Sequence, residues 1–176
     1  MRGIILNFAS LPRFLKKPLW RLWHNWIISW ERQNVVMRFM NYGYAPLTGT
    51  PEFIELFPDD EPERFGAQLY HYAVSHADLN GKDVLEVGCG RGGGASYIAR
   101  YLKPKSYVGL ALSEKGIAFC NSHYTAPNLR FVRGSAESLP FEDGQFDAVV
   151  NVESSRVYND IEAFFTETYR VLRPNG

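Results

Sequence analysis

The chain has 176 residues, 45% of them hydrophobic and 22% charged, with 19 basic and 19 acidic side chains giving a net charge of zero. That length predicts one domain with a substantial core, and the ordinary proportions exclude a disordered chain or a disulfide scaffold. The charge balance excludes a nucleic-acid surface spread over the domain.

Residues 1–40 carry Arg2, Arg13, Lys16, Lys17, Arg21, Arg32 and Arg38 against Glu31 alone. The apolar run Ile4–Phe8 is too short for a signal-peptide core or a membrane span. Trp20, Trp23, Trp26 and Trp30 fall on one face of a helical wheel with Leu19 and Ile27. Three readings stand side by side: a helix packed on the core, a lid over an apolar pocket, or an interfacial helix. The last would make peripheral membrane contact, tryptophans at the headgroup boundary and basic residues near anionic lipid. An acidic connector follows, with Glu52, Glu55, Asp59, Asp60, Glu61 and Glu63 punctuated by Pro46, Pro51, Pro58 and Pro62. The division is an N-terminal helical or lid segment with connector at 1–61 and an α/β body at 62–176.

From Pro62 strand and helix alternate. A lead-in helix is predicted over Glu63–Ala77, a strand at Asp83–Gly88, a helix over Gly93–Leu102 and a strand at Tyr107–Leu112. Ser113 is an N-cap for the next helix, which runs to about His123. Strands at Leu129–Arg133 and Phe146–Val152 come next. The last helix covers about Asp160–Leu172, with Asn159 and Glu162 spaced as a capping box and Arg173, Pro174 and Gly176 as a stop. Such alternation predicts a parallel sheet with helices on both faces. Ligands in these sheets bind beyond the carboxyl ends of the strands, where Gly88–Gly92, Ala111 and Asn151 fall.

The chemistry concentrates at Val84–Gly94, which reads Val-Leu-Glu-Val-Gly-Cys-Gly-Arg-Gly-Gly-Gly. A short apolar strand runs into glycines, and a helix N-terminus with free N–H groups follows. The carboxylate of Glu86 suits a ligand bearing a cationic amine and would repel a pyrophosphate. Cys89 reads as a small residue packed under a ligand, since no Cys/His cluster surrounds it. Cys89 and Cys120, the two cysteines, give no framework and fit a reducing, cytoplasmic compartment. His71, His76 and His123 have no metal-ligand spacing.

This stretch resembles motif I of the Rossmann-like (class I) S-adenosylmethionine-dependent methyltransferases, an acidic residue followed by Gly-x-Gly-x-Gly. Tyr107–Ser113, Phe131–Phe141, Phe146–Val152 and Val171–Gly176 resemble later segments of the same family in the same order. Together they cover about residues 62–176. The run Gly-Gly-Gly-Ala-Ser-Tyr with Asn-Val-Glu-Ser-Ser further resembles the phthiotriol/phenolphthiotriol dimycocerosate lipid methyltransferase type. The resemblance implies a four-stranded parallel sheet of order 3-2-1-4 and S-adenosylmethionine as cofactor, held by Glu86, Gly88, Cys89, Gly90, Gly92, Ala111, Leu112, Ser135, Ala136 and Asn151. It also implies a small or lipid-like acceptor, with a hydroxyl as the expected nucleophile.

Three positions depart from the family pattern. Ala111 stands where a carboxylate accepts both ribose hydroxyls, and Ser135 where an aspartate accepts from the adenine amino group. Arg156 stands where the lipid methyltransferases carry a histidine suited to act as general base; arginine stays protonated and cannot. Glu153 is either a substitute base or a carboxylate paired to Arg156, and Glu137 either borders the cofactor or caps the turn before Leu139-Pro140. The family sheet has seven strands and four are counted here. The chain thus reads as a fragment, a truncated product or a half-domain, with Phe146–Val152 as an edge open to self-association. A non-catalytic relative that binds a partner or membrane is the competing reading.

Overall fold

The computed structural model describes residues 18–19, 22, 37–46 and 54–176. The tryptophan stripe of Trp20, Trp23, Trp26 and Trp30 lies outside the described residues.

Four strands form one sheet: β1 (Asp83–Val87), β2 (Ser106–Ala111), β3 (Leu129–Arg133) and β4 (Ala148–Val150). Their order is β3-β2-β1-β4 and every pairing is parallel. Glu86 lies level with Gly109 on one side and Val150 on the other. A 3-10 turn (Pro58–Glu63) leads into α1 (Arg64–Val74). α2 (Gly93–Tyr101) follows β1, α3 (Glu114–His123) follows β2, and α4 (Ile161–Val171) ends the described body. This is the Rossmann-like architecture expected from the alternating pattern.

Side chains alternate across a strand, which splits the core in two. Val84 and Tyr107 face a cluster with Tyr70, Tyr97 and Ile98 from α1 and α2. Leu85, Val87, Val108 and Leu110 face Phe146, Phe164 and Val171 on the opposite side. Glu86 shares the parity of Val84, so its carboxylate is driven into the α1 face and is fully buried.

Ser113 caps α3 as expected, accepting from Gly116 N at 3.1 Å. At α4 the expected cap is displaced by one residue. Asp160, not Asn159, accepts from Ala163 N at 2.9 Å, and the Asn159 N–H that a capping box would give to Glu162 goes to Glu137 Oε1 at 2.7 Å. β4 is shorter than the predicted Phe146–Val152. At its start Phe146 pairs in parallel with Leu172, its N–H donating to Val171 O at 2.9 Å. At its end Glu153 turns left-handed at φ 58° and breaks the extended run. Along β4 itself the outer side has no strand partner among the described residues.

Candidate functional site

The glycine turn sits at the carboxyl end of β1. Gly88 N and Cys89 N both donate to Leu110 O, at 2.8 and 2.9 Å, which pins the turn to β2. Much of the bareness of the run is consumed by the protein's own packing. A Cβ on Gly88 would lie 2.2 Å from Ser154 Oγ, and one on Gly94 would lie 1.9 Å from the Tyr70 ring. Gly90 differs: with φ +56° it has only Met40 Sδ nearby, at 3.5 Å. The close approach a ligand would exploit is therefore at Gly90, while Gly94 exists to admit a tyrosine.

Glu86 accepts from Tyr70 OH at 2.6 Å and Tyr107 OH at 3.1 Å. Burial raises its carboxyl to about 7 against the pull of those two bonds. Both phenols are pushed well above their ordinary value, by burial first and by the Glu86 charge second. The Cys89 thiol is raised by its bond with Cys120 and by burial. The two phenols and the thiol under the turn thus keep their protons at neutral pH, while Glu86 titrates close to it.

A cleft of about 1110 Å³, counted out to the solvent at its mouth, opens above the turn. Of the predicted site residues, Gly88, Cys89, Gly90, Ala111, Leu112, Ser135 and Ala136 line it together. Gly92 is not on this wall; a Cβ there would meet Tyr124 and Phe131 at 2.8 and 2.9 Å. Glu86 lies beneath the cleft rather than on it, with Tyr70 between. Asn151 stands behind the wall and organises it. Its Nδ2 approaches Val87 O, Ser154 Oγ and Tyr158 OH at 2.8–2.9 Å. Ser154 Oγ in turn donates to Val87 O at 3.0 Å and lies 2.8 Å from Tyr158 OH.

The lining suits an adenosyl group. Ala111–Ser113 and Gly134–Ala136 form a small-residue wall along the ends of β2 and β3, and Gly90 leaves backbone bare at the centre. Ala111 brings no side-chain acceptor, and Ser135 Oγ already accepts from Glu137 N at 3.3 Å. Polar anchoring is therefore weaker than the shape of the wall allows. Glu137 lines the cleft, but its Oε1 accepts from Asn159 N and Asp160 N, so the turn it caps is the one before α4. Glu153 faces Arg156, Oε2 to Nη2 at 3.5 Å, and its Oε1 accepts from Tyr42 N at 3.1 Å.

That last bond belongs to a strap the sequence did not announce. Residues 38–42 cross above the glycine turn, and Arg38, Phe39 and Met40 line the cleft. Gly93 N donates to Arg38 O at 3.1 Å. Arg38 fixes the strap's far end, binding Glu63 at 2.6 Å and Asp60 at 2.9 Å. Asp60 is 2% exposed; burial alone would raise its carboxyl, but Arg100, Tyr101 and Arg38 hold it below the ordinary range. A buried aspartate flanked by two arginines signals an ion-pair knot, yet nothing local in the sequence says that Arg38 is one of them.

Residues 85–176 match the family described as methyltransferase domain. A fatty-acid O-methyltransferase of Mycolicibacterium smegmatis is 51% identical over 138 residues, 78% of this chain and 50% of that protein. A phthiotriol/phenolphthiotriol dimycocerosates methyltransferase of Mycobacterium tuberculosis is 45% identical over 160 residues, 91% of this chain and 58% of that one. The chain therefore spans about half the length of the curated relatives it matches. Among solved structures, the YcgJ protein of Bacillus subtilis superposes with a TM-score of 0.58 at 26% identity, over 62% of this chain and 47% of its own. With its glycine turn, its 3-2-1-4 sheet and its matched segment in agreement, the chain belongs to the methyltransferase-domain family.

Proposed function

We propose that the cleft binds S-adenosylmethionine and presents its methyl group to an oxygen of a lipid-like acceptor. The observation that carries the reading is continuity. One cleft joins the small-residue wall of Ala111–Ser113 and Gly134–Ala136 to the bare turn at Gly88–Gly90, then to the Ser154 and Tyr158 side chains above Gly88. When bound, the cofactor supplies an electrophilic methyl group on a sulfonium. The residues of this chain supply position: the wall holds the adenosyl part, the strap at Arg38–Met40 roofs the cleft, and Phe39 and Met40 keep that roof apolar. Positioning is the principal lever for a displacement of this kind.

The acceptor's lipid character rests on the relatives, one named for fatty acids and the other for phthiotriol dimycocerosates. Its nucleophile is an oxygen, either the hydroxyl that the family resemblance implies or a carboxylate. These make opposite demands, because a hydroxyl must surrender a proton to a base and a carboxylate has none to lose. Titration calorimetry with S-adenosylmethionine or S-adenosylhomocysteine tests the cofactor reading. Micromolar binding is the expected result, and no heat at millimolar ligand overturns it.

The second reading, a non-catalytic relative that binds a partner or membrane, draws on Ala111, which has no acceptor for the ribose, and on the engagement of Ser135 by Glu137 N. Peripheral membrane contact through Trp20, Trp23, Trp26 and Trp30 is tested by co-sedimentation with anionic vesicles. Self-association along the outer side of β4 is tested by light scattering. No helix among the described residues is long and apolar enough to cross a membrane.

A further inference from the structure

Resting on the reading of the cleft as a methyl-transfer site, we propose that the acceptor is a carboxylate on an apolar chain and that Arg156 binds its head. Two cations line the cleft among the described residues, Arg38 and Arg156. Arg38 is held in the ion-pair knot, with all three nitrogens bonded: Nε donates to Glu63, Nη1 to Asp60 and Nη2 to Asp59 O, all within 2.6–2.9 Å. Arg156 is held otherwise. Its contact with Glu153 is 3.5 Å long, beyond a hydrogen bond, its plane rides over the Tyr42 ring at 5.1 Å, and its side chain is 47% exposed. A planar fork of N–H donors, kept in place by an aromatic ring, is matched to the two oxygens of a carboxylate.

The same wall is poorly equipped for an alcohol. No histidine lines it among the described residues. Glu137 Oε1 is committed to two backbone N–H groups, and Glu153 accepts from Tyr42 N at Oε1 while its Oε2 stands in an ion pair with Arg156, without a hydrogen bond. Burial raises the Tyr158 phenol, which therefore keeps its proton at neutral pH. A carboxylate needs none of these groups as a base. One of its oxygens uses its own lone pair to form the C–O bond as the S–CH3 bond breaks. The electron pair of that bond goes to sulfur, giving a methyl ester and a neutral thioether with no proton moved. Phe39, Met40, Val152 and Val157 on the cleft walls offer apolar contact for the tail.

The test uses the full chain, S-adenosylhomocysteine, and two probes of equal length, decanoate and 1-decanol. Calorimetry with saturating S-adenosylhomocysteine should give decanoate at least tenfold tighter than decanol. Arg156→Gln should weaken decanoate about tenfold and leave decanol unchanged, while Arg156→Lys recovers part of the loss. Arg133→Gln, which removes a 57% exposed arginine outside the cleft, controls for a general loss of positive charge and should change neither. Decanol binding as tightly as decanoate, or Arg156→Gln and Arg133→Gln acting alike, overturns the carboxylate proposal. No binding of either probe overturns it too. Failure of S-adenosylhomocysteine alone, with decanoate still bound through Arg156, overturns the methyl-transfer reading and leaves the anion site standing.

Discussion

The Tyr70 hydroxyl donates to Glu86 Oε1 at 2.6 Å, tying α1 to the middle of β1 beneath the glycine turn. The same ring fills the space in which a Cβ on Gly94 would stand. One tyrosine thus explains why a carboxylate can be fully buried in the strand and why the residue two places into α2 is glycine. The acidic residue and the end of the glycine run are parts of one packing unit.

That unit makes stability depend on pH. The Glu86 carboxyl lies at about 7 in the fold against 4.5 in the ordinary state, so the folded chain holds a proton that the unfolded chain has released. Its contribution is fully present below about pH 4.5 and is lost as pH rises through 7. At about 1.4 kcal/mol per pH unit the total is on the order of 3 kcal/mol. Thermal melts should give a lower Tm at pH 8 than at pH 6, and Glu86→Gln should flatten that difference. An unchanged slope in the variant would place the titrating group elsewhere.

The glycines should rank by what stands beside them. Gly94→Ala forces the Tyr70 ring aside and costs the Glu86 bond as well, about 3 kcal/mol or more. Gly90→Ala meets only Met40 at 3.5 Å and pays for its left-handed backbone, about 1 kcal/mol. Gly81→Ala, also left-handed with nothing within 4 Å, is the control for the backbone cost alone. Urea unfolding of the three variants checks the order. Equal losses at 94 and 81 would mean the ring can move freely.

Local pattern carried the architecture. β3 occupies the predicted Leu129–Arg133, Ser113 caps α3, and the alternation of strand and helix predicted the parallel sheet, whose 3-2-1-4 order the family resemblance implied. These features depend on side-chain period and on residues within one turn of each other. What local pattern did not carry involves partners far apart in the chain. Asn159 and Asp160 are both competent caps; Asp160 serves, and Glu137, 22 residues from Asn159, takes the Asn159 N–H that a capping box would use. Placing Glu86 behind Tyr70 rather than on the cleft wall depends on a contact across 16 residues. The strap is the extreme case, since Tyr42 N reaches Glu153 across 111 residues. No periodicity encodes such a meeting.

The strap should depend on its anchor. Arg38→Ala removes a guanidinium that binds both Glu63 and the buried Asp60, leaving Asp60 with Arg100 and Tyr101. An uncompensated part of a buried charge is expensive, and a loss of about 2–3 kcal/mol is expected. Hydrogen exchange should localise the effect: the Gly93 amide, which donates to Arg38 O, should lose protection while those of β2 and β3 keep theirs. Uniform loss across the sheet would indicate global destabilisation in place of a released strap.

The weakened cofactor wall offers the last test, because it can be repaired. Ala111 closes β2 with its side chain beside the cleft and no acceptor to offer. Ala111→Asp restores a carboxylate at that place and should tighten S-adenosylhomocysteine by about 1.5–3 kcal/mol, on the order of ten- to a hundredfold. The position is only 7% exposed, so the ligand-free variant should melt below the parent, since a buried charge without a partner is costly. Added ligand should then raise its Tm by more than it raises the parent's, because a ligand that binds only the folded state stabilises by mass action. Ser135→Asp should gain less. Ser135 Oγ already accepts from Glu137 N, and a new carboxylate there stands near that of Glu137, whose repulsion subtracts from any bond formed. A variant with aspartate at both positions that folds but shows no shift at saturating ligand would mean that neither residue faces the ribose or the adenine.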